Sequence, residues 1–517
     1  MTAAPSAAGH LTRRRLLQGG AALIAMPAWS RHARAADVAR FALGIASGQP
    51  HANGMVLWTR LTGAGLPERV PVHWEVARDE AFRDIAAQGE EVAEAAWSHS
   101  VHAEPAGLEP ARWYWYRFTA LGQRSTVGRT RTAPAADAAV ASFNFVIASC
   151  QRWDVGHYAA WRHVAAENLD AVLFLGDYIY EYASDKTALR PLEGGLVRTL
   201  EQYRARYATH KSDPALQAAH AGAPWLLVWD DHEVANDYAG LQGQTLELDF
   251  RARRAAAYRA YWEHMPFPKS ARPIDADMRI TGRLDWGTLA RIHLLDDRQY
   301  RDPQACPKPG RGGSNTVALK ACPEFLDTRR TLLGAAQERW LADGWDATRP
   351  WNLLAQQTLM ARFSWSDPAA ADGAPGGTYW TDAWDGYPAA RKRLLDDVAQ
   401  RKLPGVVVLG GDVHSNYVAD LKADYDEPAA PVVASEFCGT SITSLALPQA
   451  RVDAARPFNP HIRYARSDQP GYMRFALDAK QLQVQLRVVD DALDPASGIS
   501  TAARFVVDAR QPGASAA

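Results

Sequence analysis

Between residues 143 and 417 short apolar runs alternate with stretches whose apolar residues recur at helical spacing. The apolar runs are 143–149, 171–175, 224–233, 288–301, 351–357 and 405–417, and most of them end in polar residues. Between and around them, 157–167, 199–209, 214–221, 251–264, 328–343 and 387–401 carry the helical period. Strands that are apolar on both faces and alternate with helices predict an α/β domain of layered, largely parallel β-sheets flanked by helices. Residues 41–133 read differently. The runs GMVLWTR (54–60), VPVHWEV (70–76) and WYWYRFTAL (113–121) are β-rich and closely spaced, which predicts a small antiparallel β-sandwich domain. The small-residue stretch 133–142 between the two patterns reads as a linker. After 142 the second domain runs to 508, closing with the alternating runs 472–490 and 503–508, and the tail 509–517 is expected to be disordered.

Composition changes this picture mainly at the N-terminus. The chain of 517 residues is 47% hydrophobic and 22% charged, as an ordinary globular protein with a real core is. Residues 1–35 hold five arginines and no acid, so the remainder is net acidic although the whole chain sums to −1. An acidic remainder argues against nucleic acid as an obligate partner, because phosphate backbones need basic faces. Arg13–Arg14 precede a short, mild apolar stretch (19–28) and the small-residue sequence Ala33–Arg34–Ala35. That pattern reads as a twin-arginine (Tat) signal peptide over 1–35, which implies a periplasmic or secreted protein. The apolar stretch is too short to span a bilayer, so no stable membrane anchor is expected. In an oxidising compartment Cys306 and Cys322, flanking a Gly-, Pro- and Lys-bearing loop, are expected to pair.

The candidate chemistry sits at four strand ends: Ser149–Cys150–Gln151, Gly176–Asp177–Tyr178–Ile179–Tyr180–Glu181, Asp230–Asp231–His232–Glu233 with Asn236–Asp237, and Gly410–Gly411–Asp412–Val413–His414–Ser415–Asn416. A parallel sheet gathers strand ends at one edge. Several carboxylates with imidazole and amide groups at that edge suit more than one metal ion. Each residue also has a plainer reading: Asp177 as a cap, Tyr180 as a packed phenol, Cys150 as a small hydrophobe, His232 as a core histidine. Adjacent Asp230 and Asp231 would face opposite sides of an extended chain, whereas Asp412 and His414 would share one. HEVAN fails the zinc-protease pattern HExxH at Asn236. A GxSxG elbow, a phosphate-loop motif and a dinucleotide GxGxxG are all absent from the sequence.

With these motifs in view, the sequence resembles the alkaline phosphatase D (PhoD-like) family of the calcineurin-like metallophosphoesterase superfamily. The resemblance is carried by FALGIASGQPHANGMVLWTRL (41–61), IASCQ, FLGDYIYE, VWDDHEVANDY, LLDDRQYR, LGGDVHSNY and EFCGTSITS, in that order. It implies an Fe(III) and Ca(II) centre. Cys150, Asp177, Tyr180 and His414 would surround iron, Asp177 would bridge to calcium, and Asp231, Asn236 and Asp412 would complete the ligand set. His232 would face phosphate or stand behind the ligands, Arg298 would hold a phosphate oxygen, and Cys438 would be buried and inert.

The implied activity is that of an exported alkaline phosphatase and phosphodiesterase acting on small phosphoesters. Metal-activated hydroxide would attack phosphorus without a protein nucleophile. Its partners would be those substrates and the Tat export machinery, with the protein a monomer. A phospholipase D-type phosphodiesterase and a non-catalytic binding protein remain the alternatives at this level.

Overall fold

The computed structural model describes residues 39–369 and 376–517; the signal-peptide assignment to 1–35 lies outside them. Two mixed sheets form the centre. In the first, Phe143–Ala148, Ala171–Phe174, Trp225–Leu227 and Ile45–His51 run parallel to one another in that order. In the second, Ala290–Leu294, Trp351–Ala355, Val406–Gly410 and Val432–Cys438 are parallel. Antiparallel strands extend both sheets. The predicted layered, largely parallel sheets thus form, with four parallel strands in each of two.

The sheets pack face to face through one core that joins Val172 and Phe174 of the first to Ile292, Leu353, Val407 and Phe437 of the second. Phe437 meets Phe475 edge-on across the interface, with ring centroids 5.7 Å apart. Helices cover the outer faces. Trp161, from the helix Ala159–Ala166, packs on Trp225 of the first sheet. Leu395 and Val398, from Pro388–Arg401, share a core with Val406 and Val408 of the second. The layers therefore run helix, sheet, sheet, helix, and strand pairs buried on both faces explain the continuous apolar runs.

The N-terminal β unit forms, with one difference from expectation. Its outer layer is an antiparallel sheet built on Ile85–Glu94, Arg69–Ala77 and Trp113–Ala120. Its other layer, Ile45–His51, Gly54–Arg60 and Ser100–Ala103, is the continuation of the first central sheet beside Trp225–Leu227. Leu57, Val72, Tyr116 and Phe118 share the core between these layers. The C-terminal tail is not disordered. Gln511–Ala516 pairs with Ile499–Asp508 at the edge of the first sheet. Its backbone is held further by the Gly513 N–H on Ser435 Oγ (2.9 Å) and the Ala514 N–H on Asp420 Oδ1 (3.2 Å). Small polar residues gave no apolar alternation to announce this strand, and pairing with an existing edge supplies its order. Cys306 and Cys322 are joined by a disulfide. No helix among the described residues is long and apolar enough to cross a membrane.

One buried charge supports the helix layer at a cost. Lys211 ends the helix Leu200–Lys211 and is 1% exposed, its ammonium 4.2 Å from the Trp58 ring centroid and 5.4 Å from that of Tyr178. Burial pulls its pKa down to about 7. The unfolded chain therefore binds this proton more tightly, and the associated stability is lost as pH falls through about 7 and fully regained above the ordinary lysine value of about 10.4. Lys211→Met is expected to raise Tm at pH 7 and to flatten the rise in Tm between pH 7 and 10; thermal scans across that range read both.

Candidate metal centre

The loops that follow the parallel strands of both sheets meet at one place. They are laced together by backbone: the Cys150 N–H donates to Gly176 O (3.1 Å), Gln151 N–H to Asp177 O (3.0 Å) and Gly411 N–H to Gln357 O (2.7 Å). Two glycines permit the approach. A Cβ on Gly176, whose φ is +108°, would stand 2.4 Å from Asp230 Cβ and 2.5 Å from its backbone nitrogen. A Cβ on Gly411 would stand 2.5 Å from Ser149 Oγ, where the loops of the two sheets touch. Cys150, Asp177, Asp237, Asp412 and His414 all adopt left-handed backbone conformations, with φ between +53° and +65°. Such conformations cost of order 1–3 kcal/mol each outside glycine, less for Asp and His, and they gather at functional sites.

Two groups of donors result. In the first, the ligating atoms of Cys150, Asp177 and His414 lie within 4.8 Å of one another. Tyr180 belongs with them: its hydroxyl donates to Asp177 Oδ2 (2.7 Å) and lies 3.1 Å from His414 Nε2. His414 Nδ1 is 2.7 Å from the carbonyl of Leu445. A carbonyl only accepts, so Nδ1 carries a proton there, and that bond turns Nε2 toward the group. In the second, Asp230, Asp231 and Asp412 oxygens lie within 4.8 Å of one another. Asp177, Asp231 and His232 form a third triplet that links the two groups. The four strand-end clusters found in the sequence are therefore brought together.

Three expectations are corrected. Asp230 and Asp231 do not point apart, because the strand ends at Leu227 and the alternation of an extended chain no longer applies at 230. Asp412 and His414 do not serve one group: the strand ends at Gly410, and the left-handed turns send His414 to the first group and Asp412 to the second. Arg298 does not line the pocket over these donors. It is fully buried beneath them, with Nε on Asp230, Nη1 donating to Asp382 Oδ2 (2.6 Å), and Nη2 3.6 Å from Asp231 and 3.7 Å from Asp412. Its fork orients carboxylates rather than a substrate oxygen.

The electrostatics fit multivalent cations. Burial, then mutual repulsion that Arg298 only partly offsets, pushes Asp230 and Asp412 well above the usual carboxylate range and Asp231 up to about 6. Burial and the Asp177 charge hold the Cys150 thiol and the Tyr180 phenol in their neutral forms. Asp177 itself is held at about 2, because His232, His414 and the Tyr180 hydroxyl outweigh its burial. Its Oδ1 is buried without a hydrogen-bond partner. A carboxylate with one orphaned oxygen, its other oxygen against a phenol and near an imidazole nitrogen, and a thiol beside it, is a donor set short of a cation, and a cation there would convert thiol and phenol to anionic ligands.

His232 lines the pocket, as do Asn236, Asp231, Asp412 and His414. Its Nδ1 lies 2.7 Å from Glu181 Oε2. Burial lowers its affinity for a proton, but Glu181, Asp231 and Asp177 outweigh that and keep it charged. Sequence reasoning does not anticipate that Glu181 orients His232. It also leaves unassigned the role of Glu233, whose carboxylate accepts from the backbone N–H groups of Asp177, Tyr178 and Asp230 and so fixes the turn. Asp382 was missed too. It packs against Arg298, Arg301 and Gln304 and gathers with Asp231 and Asp237, but it lies in a loop after a three-residue strand and carries no strand-end signal.

The family model for PhoD-like phosphatase matches residues 145–486, and that for the PhoD-like phosphatase N-terminal domain matches 27–134. The chain is 42% identical over 491 residues to alkaline phosphatase D of Bacillus subtilis (strain 168), covering 92% of this chain and 82% of that one. A solved structure described as that of PhoD superposes with a TM-score of 0.85 at 39% identity, covering 93% of this chain and 92% of the other.

Proposed function

Because the chain belongs to the PhoD-like phosphatase family, and is an enzyme that hydrolyses phosphoric esters, we propose that it is an exported, metal-dependent hydrolase of phosphomonoesters and phosphodiesters. The observation that carries the metal reading is the buried, unpartnered Asp177 Oδ1 among Cys150, Tyr180 and His414. Thiolate and phenolate donors suit Fe(III) and oxygen-only donors suit Ca(II). Cys150, Asp177, Tyr180 and His414 are proposed to hold iron, and Asp231, Asn236 and Asp412, with Asp177 between the two sets, to hold calcium. Bound there, the ions would supply Lewis acidity toward phosphoryl oxygens and lower the pKa of water.

The chain's own residues account for the rest. His232, kept charged by Glu181, donates from the pocket wall to a phosphoryl oxygen or to the departing alkoxide. His414, its Nδ1 on the Leu445 carbonyl, turns Nε2 toward the first group. Glu233 and Arg298 hold the loops and carboxylates in place. Export by the twin-arginine pathway is supported by Arg13–Arg14 and the weak apolar stretch after them.

Metal analysis of the exported protein, together with its visible spectrum, tests the metal assignment. Iron and calcium with a tyrosinate-to-iron charge-transfer band is the expected result, the band disappearing in Tyr180→Phe. Zinc alone, or protein that hydrolyses p-nitrophenyl phosphate without metal, would overturn it. Comparing p-nitrophenyl phosphate with its bis-ester separates monoesterase from diesterase action.

A further inference from the structure

The pocket over the donors is a cavity of about 440 Å³, far more than a phosphoryl group fills. Its floor is polar, formed by Asp231, His232, Asp412 and His414. Flat rings form another stretch of its wall. Phe363 meets both Trp365 and Tyr417 edge-on, with centroids 4.8 and 5.3 Å away, so these three rings fix one another's tilt. The Arg451 guanidinium lies over Trp365, 4.8 Å from its centroid, and stiffens that ring from the rim. Trp380 lines the same cavity and has no ring partner among the described residues. Leu445, 70% exposed, continues the apolar surface outward from the backbone carbonyl that holds His414.

Resting on the hydrolase reading above, we propose that this wall seats a planar aromatic group on the alcohol side of the phosphoester. Its preferred substrates are then aryl or nucleoside phosphates rather than phosphates of small hydroxylic alcohols. The phosphoryl group must reach the donors on the floor, and the alcohol then projects toward the wall. Rings held at fixed tilt, with one indole lacking a ring partner, favour a flat guest by offset or edge-on stacking. A flexible chain would pay rotamer entropy against the same surface. Phe363, Trp365, Trp380 and Arg451 are accordingly specificity-determining residues that touch the leaving group and not the reacting phosphorus.

The test measures kcat/KM of the metal-loaded enzyme on matched pairs. A nucleoside 5′-monophosphate against ribose 5-phosphate isolates a base, and benzyl against cyclohexylmethyl phosphate, whose alcohols are similar leaving groups, isolates planarity. The ring-bearing member of at least one pair is expected to be preferred by about tenfold or more, in line with base–aromatic stacking, and which pair shows it distinguishes nucleoside from simple aryl recognition. In Trp380→Ala, and independently in Trp365→Leu, the preference is expected to collapse toward unity through KM rather than kcat. Equal rates within both pairs, or decyl phosphate outrunning benzyl phosphate, would overturn the aromatic seat while leaving the hydrolase reading intact. Failure to release phosphate from any of these esters would overturn the hydrolase reading itself.

Discussion

Asp177→Asn is expected to lower kcat/KM for phosphoester hydrolysis by about a thousandfold, the scale on which loss of a central electrostatic group in an active site is felt. The carboxylate is the one group shared between the donor triplets of Cys150 and His414 on one side and Asp231 and His232 on the other. Asn keeps the shape, and it tolerates the left-handed backbone at this position, where φ is +59°. The backbone N–H remains on Glu233. What is lost is the charge and the second oxygen, Oδ1, that has no protein partner. In chelated protein the variant should be somewhat less thermostable than the parent, because a carboxylate that the folded protein holds in its charged form has been replaced by a neutral amide. In metal-loaded protein the gap should widen, because the variant has also lost a ligand. Activity assays with metal analysis and paired thermal scans read all three. Wild-type activity and metal content in the variant would remove Asp177 from the centre.

The second large effect is expected from Arg298→Met, and it should appear as loss of stability rather than as a change in KM. Arg298 is fully buried among Asp230, Asp231, Asp382 and Asp412, with Arg301 sharing Asp382. Removing it leaves these carboxylates without their main counter-charge, a change of about 3–5 kcal/mol for a broken buried ion pair. Soluble yield and Tm should fall, and metal content with them, as the carboxylates of the second group lose their orientation. Arg298→Lys should rescue only part, because a point charge cannot fork between Asp230 and Asp382. If Arg298→Met kept its Tm and metal content and only raised KM, the residue would be a substrate clamp after all.

Much of the site was legible because its residues announce themselves locally. A strand buried on both faces ends where polar residues begin, so Asp177, Asp231, Asp412 and their neighbours could be read as strand-end clusters without any contact map. The family resemblance then supplied roles for Cys150 and Tyr180, whose types alone left an inert thiol and a packed phenol open. Reading failed where a local rule was carried past the end of its element. Alternation was applied to Asp230–Asp231 and Asp412–His414, yet both pairs lie beyond their strands in turns where side-chain direction follows φ and not period. Arg298 was assigned by its position after a strand, and only its burial shows that it faces carboxylates.

The sequence by itself determined the element types, their alternation, the change from β unit to layered domain, and the donor chemistry, because periodicity and residue type are properties of short segments. Tertiary structure alone decided which parallel strands belong to which sheet, that one layer of the N-terminal sandwich is the edge of the first, and that residues 511–516 pair as a strand. It also decided which strand-end residues meet, and that aromatic rings from distant segments line the same pocket. These depend on contacts between segments far apart in the chain, and the free energy of those contacts is set by shape and burial that no local period encodes.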